Sequence, residues 1–257
     1  MQRRPGFPAR LDLPAGPAGR AASPFSPVGS RTVVAAPLGL GLDSAAVRSR
    51  MVQKLAQGGI GSSGVLDAMS AVERHRFVDS ALVNQAYEDT SLPIGLGQTI
   101  SKPSVVARMA ELLLGARCAQ PQGLGRVLEI GTGCGYQAAV LGQIAREVYT
   151  LERLRGLHDK ARDNLRPLRL ANVHLLFGDG MLGYAQGAPY SAIISAAGGH
   201  AVPAAWCDQL AMGGRLVAPM ALSGGQQALL VIDKTEQGLK QTVLEPVHFV
   251  PLKSGVG

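Results

Sequence analysis

Cysteine is scarce in this chain of 257 residues, which contains only Cys118, Cys134 and Cys207. Their number is odd and no two are spaced as C-x-x-C, so neither a disulfide framework nor a zinc site is indicated. Few cysteines without a pairing pattern are typical of proteins in a reducing compartment. We therefore expect a cytoplasmic protein without a bound metal.

Long apolar runs are also missing from the sequence. No run reaches the roughly 18 residues that a helix needs to span a bilayer. The first residues do not form the continuous apolar segment of a signal peptide, and we expect no membrane partner. Aromatic residues are only 4% of the chain whereas hydrophobic residues are 46%, so the core must be filled mostly by Leu, Val, Ile and Ala.

Acidic residues are almost absent from the first 42 residues, which hold five arginines and only Asp12. Five minus one gives this stretch +4 of the formal net charge of +7, and +3 is left for the remainder. A charge concentrated in one terminal stretch supports nucleic-acid binding only weakly, and we expect none. Residues 1–43 also hold seven of the sixteen prolines, so we predict a disordered Pro/Gly/Ala/Arg-rich extension, either a plain extension or a targeting segment.

The most informative stretch of the chain is Arg126–Tyr136, which reads RVLEIGTGCGY. Its apolar run, Val127–Ile130, is typical of a buried strand, and three alternating glycines follow: Gly131, Gly133 and Gly135. A strand, a glycine turn and a helix together open a nucleotide-binding α/β fold. The spacing G-x-G-x-G differs, however, from the G-x-G-x-x-G of dinucleotide sites.

Acidic residues lie at the ends of three successive predicted strands or in the turns that follow them. Glu129 stands near the end of the first strand, Glu152 ends the second about 20 residues past the loop, and Asp179 follows the third. The loop contains no Lys or Arg, which a phosphate ligand would need. We therefore predict an adenosine ligand without phosphates, S-adenosylmethionine. The alternative is that the glycines only form a tight turn and that the acids cap helices.

The remaining pattern predicts one α/β domain over residues 44–257, with an N-terminal helical region over 44–86. Two helices are expected in that region, the first beginning near the capping residues Asp43 and Ser44 and ending at Gly58-Gly59. Further helices are predicted over Ser104–Leu114, Ala138–Ala145 and Pro203–Leu210. Strands are predicted over Val127–Ile130, Val148–Leu151, Val173–Phe177, Tyr190–Ser195, Arg215–Pro219, Leu229–Ile232 and Val243–Val250, the last two as an antiparallel pair at the sheet edge.

Residues 87–103 contain two prolines and two glycines, and a loop is predicted there. Its polar residues Gln98, Thr99 and Ser101 come just before the helix that starts at Ser104. Groups of this kind at a helix start either bind an anion or simply cap the helix. The spacing alone does not decide between these alternatives.

Taken together, these motifs resemble the bacterial type of the protein-L-isoaspartate O-methyltransferase family. The most family-specific piece is Leu92–Ser101, LPIGLGQTIS, and the resemblance runs from about Arg48 to Leu252. The other matching pieces are the loop Glu129–Gly135, the acid Glu152, Gly178-Asp179-Gly180, Gly213–Val217 and Phe249–Leu252. The resemblance implies a doubly wound, Rossmann-like, S-adenosylmethionine-dependent methyltransferase fold, with a mostly parallel seven-stranded sheet and helices on both faces.

The resemblance also implies an activity, that of EC 2.1.1.77. Such an enzyme transfers a methyl group from S-adenosylmethionine to the α-carboxylate of an L-isoaspartyl residue and releases S-adenosylhomocysteine. The methyl ester then closes spontaneously to a succinimide, which can reopen as normal aspartyl, and the damaged protein is repaired. The implied partners are isoaspartyl-containing proteins and peptides. Because nothing in the sequence suggests an obligate interface, we expect a monomer.

Site residues follow from the same resemblance. Ser101 matches the family's active-site serine, and its expected role is to hydrogen-bond the acceptor carboxylate, not to attack it. The implied cofactor-binding residues are Thr99, Ile100, Ser101, Glu129, Gly131, Gly133, Gly135, Glu152, Asp179 and Gly180. The three loop glycines would lie against the methionine part, Glu152 would bind the ribose diol, and Asp179 with Gly180 would contact or flank the adenine.

Three positions depart from the family pattern. Ser191 stands where Asp is usual, Ser195 where Thr is frequent, and Cys134 where serine is common. Two competing hypotheses remain: a methyltransferase with another acceptor, and a cofactor-binding module without turnover. The stretch 92–101 argues against the first, and the altered stretch beginning at Ser191 is the only support for the second.

Overall fold

Nine strands and six α-helices form in the computed structural model, which describes residues 45–119, 123–222 and 225–257. The strands are β1 (Leu92–Gly95), β2 (Gln98–Ile100), β3 (Leu124–Ile130), β4 (Ala145–Glu152), β5 (Val173–Phe177), β6 (Tyr190–Ser195), β7 (Leu210–Ala221), β8 (Gln227–Thr235) and β9 (Gly238–Val247). The helices are α1 (Ala45–Gln57), α2 (Ser63–Ala71), α3 (Pro103–Leu114), α4 (Tyr136–Ile144), α5 (Arg155–Leu165) and α6 (Ala204–Gln209). The predicted extension over residues 1–43 and the caps Asp43 and Ser44 lie outside the described residues.

Seven of the strands form one sheet in the order β5-β4-β3-β6-β7-β8-β9. The pairs from β5 to β7 are parallel, and β8 and β9 add an antiparallel edge, as predicted. The strand order reverses direction between β3 and β6, which makes the sheet doubly wound. In such sheets ligands bind in the crevice outside the carboxyl ends of the strands at this reversal.

Successive residues of the central strands belong to two different hydrophobic clusters. Val127 and Ile194 pack in one cluster with residues from α1 to α4, whereas Leu128 and Ile193 pack in the other with Trp206 of α6. Because side chains alternate between the faces of a strand, both faces of the sheet are covered. This explains why the central strands read as continuous apolar runs.

The stretch 87–103 differs from the prediction of a loop, because it contains the antiparallel hairpin β1–β2. Gly95 and Gly97 have φ of 99° and 69°, and Leu96 between them has φ of 51°. Glycine makes this left-handed turn possible. The hairpin is held to the domain by Ile94 and Ile100, which are 2% and 4% exposed.

Other boundaries differ by a few residues from the predicted ones. Strand β7 begins at Leu210 and not at Arg215, and β9 ends at Val247. The two predicted N-terminal helices are α1 and α2, and Ser62 caps α2 by accepting a hydrogen bond from the Val65 amide at 3.4 Å. Among the described residues, no helix combines the length and the apolar character needed to cross a membrane.

Candidate functional site

A cavity lies at the carboxyl end of β3, where the sheet reverses, and the glycine loop forms part of its wall. The amides of Gly131 and Thr132 both donate to the Leu151 carbonyl, at 2.9 and 3.1 Å, which ties the loop to β4. Gly131 and Gly133 line the cavity, with φ of 89° and 58°. A side chain at either position would be conformationally strained and would narrow the space.

The third glycine of the loop has a different role. Gly135 is not among the cavity-lining residues; it is the N-cap of α4, with φ of 92°. A Cβ at this position would come within 3.0 Å of the Leu165 side chain. The structure thus shows that the turn into α4 needs a glycine at this position, and the contact of Gly135 with the methionine part of the cofactor stays a prediction.

Glu152 lines the cavity at the end of β4, beside the loop, and is 4% exposed. One carboxylate oxygen accepts from the Gly133 amide and the other from the Leu154 amide, both at 2.9 Å. Each carboxylate oxygen can accept more than one hydrogen bond. Glu152 is thus fixed in place and still able to accept from a pair of hydroxyl groups.

Glu129, by contrast, lies behind the loop and does not line the cavity. It is fully buried, and its carboxylate accepts from Gln137 Nε2 at 3.0 Å and from Thr150 Oγ1 at 2.5 Å. The Thr150 hydroxyl is in turn 2.6 Å from that of Thr132 in the loop. Through these bonds Glu129 supports the loop from behind, and its predicted contact with a cofactor stays a prediction.

Burial raises the pKa of Glu129 to about 8, although the bonds from Thr150 and Gln137 oppose this change. The unfolded chain releases this proton near pH 4.3. Between these values the folded state holds more protons than the unfolded state, so this group's contribution to stability falls as pH rises from about 4.5 to 8.

We expect Glu129→Gln to flatten this pH dependence, because the amide is neutral and close in shape to the protonated acid. At pH 8 the free energy of unfolding of the variant should be about 4 kcal/mol higher than that of the wild type. Near pH 4.5 the two free energies of unfolding should converge. Urea unfolding at a series of pH values measures the difference. Parallel curves for the two proteins would contradict the account of Glu129.

Asp179 and Gly180, at the end of β5, take different places at the cavity. Gly180 lines it, and its carbonyl accepts from the Trp206 indole at 2.8 Å. The Asp179 carboxylate is not among the lining groups; it accepts from the amides of Met181 at 2.9 Å and Gly255 at 2.6 Å. Gly180 thus lines the cavity, and Asp179 flanks it and holds the C-terminal segment.

The hairpin supplies the opposite side of the site. Thr99, Ile100 and Ser101 line the cavity, and Thr99 and Ser101 also line a second cavity beside it, with Lys102 and His248. Within the described part of the chain the Ser101 hydroxyl has no hydrogen-bond partner. It is therefore available to a ligand in either cavity.

The start of α3 is a capped helix and not an open anion site. Asp89 accepts from both the amide and the hydroxyl of Ser104, each at 2.8 Å. A carboxylate at a helix N-terminus satisfies the amides that an anion would otherwise bind. Asp89 therefore caps the amides of this helix, whereas an anion in this stretch would be bound by the Ser101 hydroxyl and not by the helix start.

The sequence reasoning placed no site residue in the last part of the chain, which forms one wall of the cavity. Val250, Pro251, Leu252 and Lys253 all line it, and two hydrogen bonds between this segment and Gly198, each of 2.8 Å, hold it. The available signal was the family-like stretch Phe249–Leu252.

Across the described residues, no group of three or more His, Cys, Asp or Glu side chains is arranged to hold a metal ion.

Comparison with known proteins identifies the family of this chain. The family model described as protein-L-isoaspartate(D-aspartate) O-methyltransferase matches residues 46–257. The chain belongs to the protein-L-isoaspartate O-methyltransferase family. This confirms the resemblance that the motifs predicted.

Individual members of the family are similar over most of the chain. A protein-L-isoaspartate O-methyltransferase from Methylibium petroleiphilum is 57% identical over 263 residues, covering 98% of this chain and 96% of that protein. A solved protein-L-isoaspartate O-methyltransferase structure is 29% identical with a TM-score of 0.73, covering 82% of this chain and 67% of that one. A Plasmodium falciparum structure, in complex with S-adenosyl-L-homocysteine, is 23% identical with a TM-score of 0.69, covering 80% and 98%. The predicted methyltransferase fold is confirmed.

Two departures from the protein-L-isoaspartate O-methyltransferase pattern lie where they leave the cavity intact. Ser191 is near the start of β6, away from the carboxyl end, and its hydroxyl donates to the Arg126 carbonyl at 2.9 Å. The Ser195 hydroxyl donates to the Ala197 carbonyl at 2.8 Å and shapes the turn after the strand. Because Ser191 lies away from the cavity, its departure from the family pattern no longer supports the hypothesis of a cofactor-binding module without turnover.

Proposed function

We propose that this chain transfers the methyl group of S-adenosylmethionine to the α-carboxylate of L-isoaspartyl residues in damaged proteins and peptides. The observation that carries the proposal is the position of Ser101. It lines both the cavity of the glycine loop and the neighbouring cavity. A cofactor in the first and a polypeptide in the second would meet at this residue.

The cofactor fits the first cavity by its chemistry. The Glu152 carboxylate suits the ribose diol, and Gly131 and Gly133 allow the methionine part to lie close to the backbone. Gly180 would approach the adenine, and Thr99 and Ile100 would cover the cofactor from the hairpin side. Because the loop has no cationic side chain, a ligand without phosphates is favoured over a nucleotide.

The reaction needs positioning more than it needs a proton acceptor. An isoaspartyl carboxylate is already ionised at pH 7, so its oxygen can attack the sulfonium methyl directly. The new oxygen–carbon bond forms as the carbon–sulfur bond breaks, and S-adenosylhomocysteine leaves as a neutral thioether. The Ser101 hydroxyl would hold the carboxylate, and aligned reactants can supply several kcal/mol of the rate enhancement.

The acceptor side suits a polypeptide. The second cavity combines apolar side chains, such as Phe249 and Val250, with one lysine, Lys102. A nucleic acid is bound by a stripe of cations, which this combination does not provide. We further propose that the enzyme acts in the cytoplasm, which the three free cysteines support. We also propose that it acts as a monomer and without a membrane partner.

We expect Ser101→Ala to lower kcat/KM for an isoaspartyl peptide about 10- to 100-fold, because one hydrogen bond to a charged group is lost. The dissociation constant of S-adenosylmethionine should change less than about threefold, since Ser101 meets the acceptor. Initial rates and calorimetry give the two numbers. Ser104→Ala is a suitable control, because its hydroxyl faces Asp89 and lies outside the cofactor cavity. Equal turnover of wild type and Ser101→Ala would remove the role given to Ser101.

The repair itself is tested by following a purified isoaspartyl peptide through repeated rounds of reaction. Chromatography should show loss of the isoaspartyl form and growth of the aspartyl form through a succinimide, only when S-adenosylmethionine is present. If the peptide stayed isoaspartyl while the cofactor was consumed, the methyl group would have been transferred to another acceptor.

A further inference from the structure

Arg74 is a buried arginine that the proposed chemistry does not use directly. It begins a short 3-10 helix, Arg74–Phe77, after α2, and its relative exposure is 0%. Burial lowers its pKa, and among the described residues it forms no salt bridge. Its Nη1 also has no hydrogen-bond partner there. A buried charge without a carboxylate partner is a poor way to stabilise a fold, so another role is indicated.

Two contacts of Arg74 lie on either side of the hairpin β1–β2, at the Thr90 and Ser101 carbonyls. Its Nη2 donates to the Ser101 carbonyl at 2.7 Å, and its Nε donates to the Ala86 carbonyl at 2.8 Å. A longer contact of 3.4 Å joins Nη2 to the Thr90 carbonyl, just before the hairpin. One rigid guanidinium therefore fixes the backbone at both ends of the segment that carries the hairpin and the active-site serine.

The same side chain also contacts the residue that directly follows the glycine loop. Its Cζ lies 4.8 Å from the centre of the Tyr136 ring, a cation–π contact. Tyr136 is the first residue of α4, directly after Gly135, and lines the cofactor cavity. Phe77, from the same short helix as Arg74, packs edge-to-face on this ring with centroids 5.5 Å apart. Arg74 thus contacts the segment that carries Ser101 and the residue that directly follows the glycine loop.

We propose that Arg74 is a positioning residue, whose guanidinium sets the distance between the acceptor at Ser101 and the methyl group held by the glycine loop. This inference rests on the proposed function. A misplacement of about 1 Å between reacting groups can lower a rate about 100-fold. A planar guanidinium can bond two carbonyls along one edge while its charge lies over an aromatic ring, and lysine cannot reproduce this arrangement.

The test compares Arg74→Lys with Arg48→Lys as a matched control. Arg48 also holds the N-terminal region, through the Ser70 carbonyl at 2.6 Å, but it contacts neither Ser101 nor Tyr136. At saturating cofactor and peptide, we expect kcat of Arg74→Lys to fall about 30- to 100-fold, with the dissociation constant of S-adenosylmethionine within about threefold of wild type. Arg48→Lys should keep wild-type kcat even if its melting temperature falls equally.

A double variant separates positioning from a general loss of packing. If Arg74 acts through Ser101, the effects of Arg74→Lys and Ser101→Ala on kcat/KM should combine to less than their product. Three results would each overturn the inference. The first is that the fold-losses in kcat/KM of the two single variants multiply fully in the double variant, and the second is a wild-type kcat for Arg74→Lys. The third is a joint loss of kcat and cofactor affinity that Arg48→Lys shows as well. Absence of turnover in the wild type would instead refute the proposed function, and this inference with it.

Discussion

Replacing Glu152 with alanine should raise the dissociation constant of S-adenosylmethionine about 100-fold or more. Hydrogen bonds to a charged group contribute about 1.5–3 kcal/mol each, and a ribose diol would make two with this carboxylate. The variant also frees the Gly133 and Leu154 amides, which Glu152 accepts from at 2.9 Å. The loop that lines the cavity would lose its fixed position as well as its ligand group.

Glu147→Ala is the matched control, because it removes a carboxylate from the same strand away from the cavity. Glu147 pairs with Arg126 at 2.8 Å on a partly exposed part of the sheet. Calorimetry should give this variant the cofactor affinity of the wild type. If Glu152→Ala also kept that affinity, the ribose assignment would be wrong.

Replacing Gly133 with valine should abolish measurable cofactor binding. The backbone at this position has φ of 58°, where L-residues are strained by about 1–2 kcal/mol, and a β-branched side chain fits there worst. A Cβ would come within 3.2 Å of Ile94 Cδ1 and would stand in the wall against which the methionine part is expected to lie. Strain and lost space therefore act together on the site.

Gly59→Val separates these two effects. Gly59 has φ of 101°, and a Cβ there would meet nothing within 4 Å. Both variants should lose comparable stability in thermal unfolding, but only Gly133→Val should fail to bind S-adenosylmethionine in calorimetry. Retained affinity in Gly133→Val would mean that the cofactor does not lie against this part of the loop.

Local patterns were sufficient to predict the centre of this fold. The apolar run before Gly131 and the acid at Glu152 were readable because strand, turn and helix follow each other within one short segment. The sequence pattern did not show on which face of β3 the Glu129 side chain lies. Residues on both faces of β3 are buried, so the apolar pattern does not show which face meets the cavity.

Contacts between distant segments were beyond a reading of local patterns. Arg74 is separated by 27 positions from Ser101, and no periodicity in the sequence connects the two. The short hairpin β1–β2 was interpreted as a loop because its glycines and prolines indicate turns, while its stability comes from the burial of Ile94 and Ile100. Tertiary packing decides such cases.

The most direct measurement is the transfer of labelled methyl from S-adenosylmethionine to a synthetic isoaspartyl peptide, with the matching aspartyl peptide as control. The account predicts base-labile label on the isoaspartyl peptide alone, which would establish the reaction, its acceptor and its specificity together. Bound cofactor without label on that peptide, or equal label on both peptides, would contradict it.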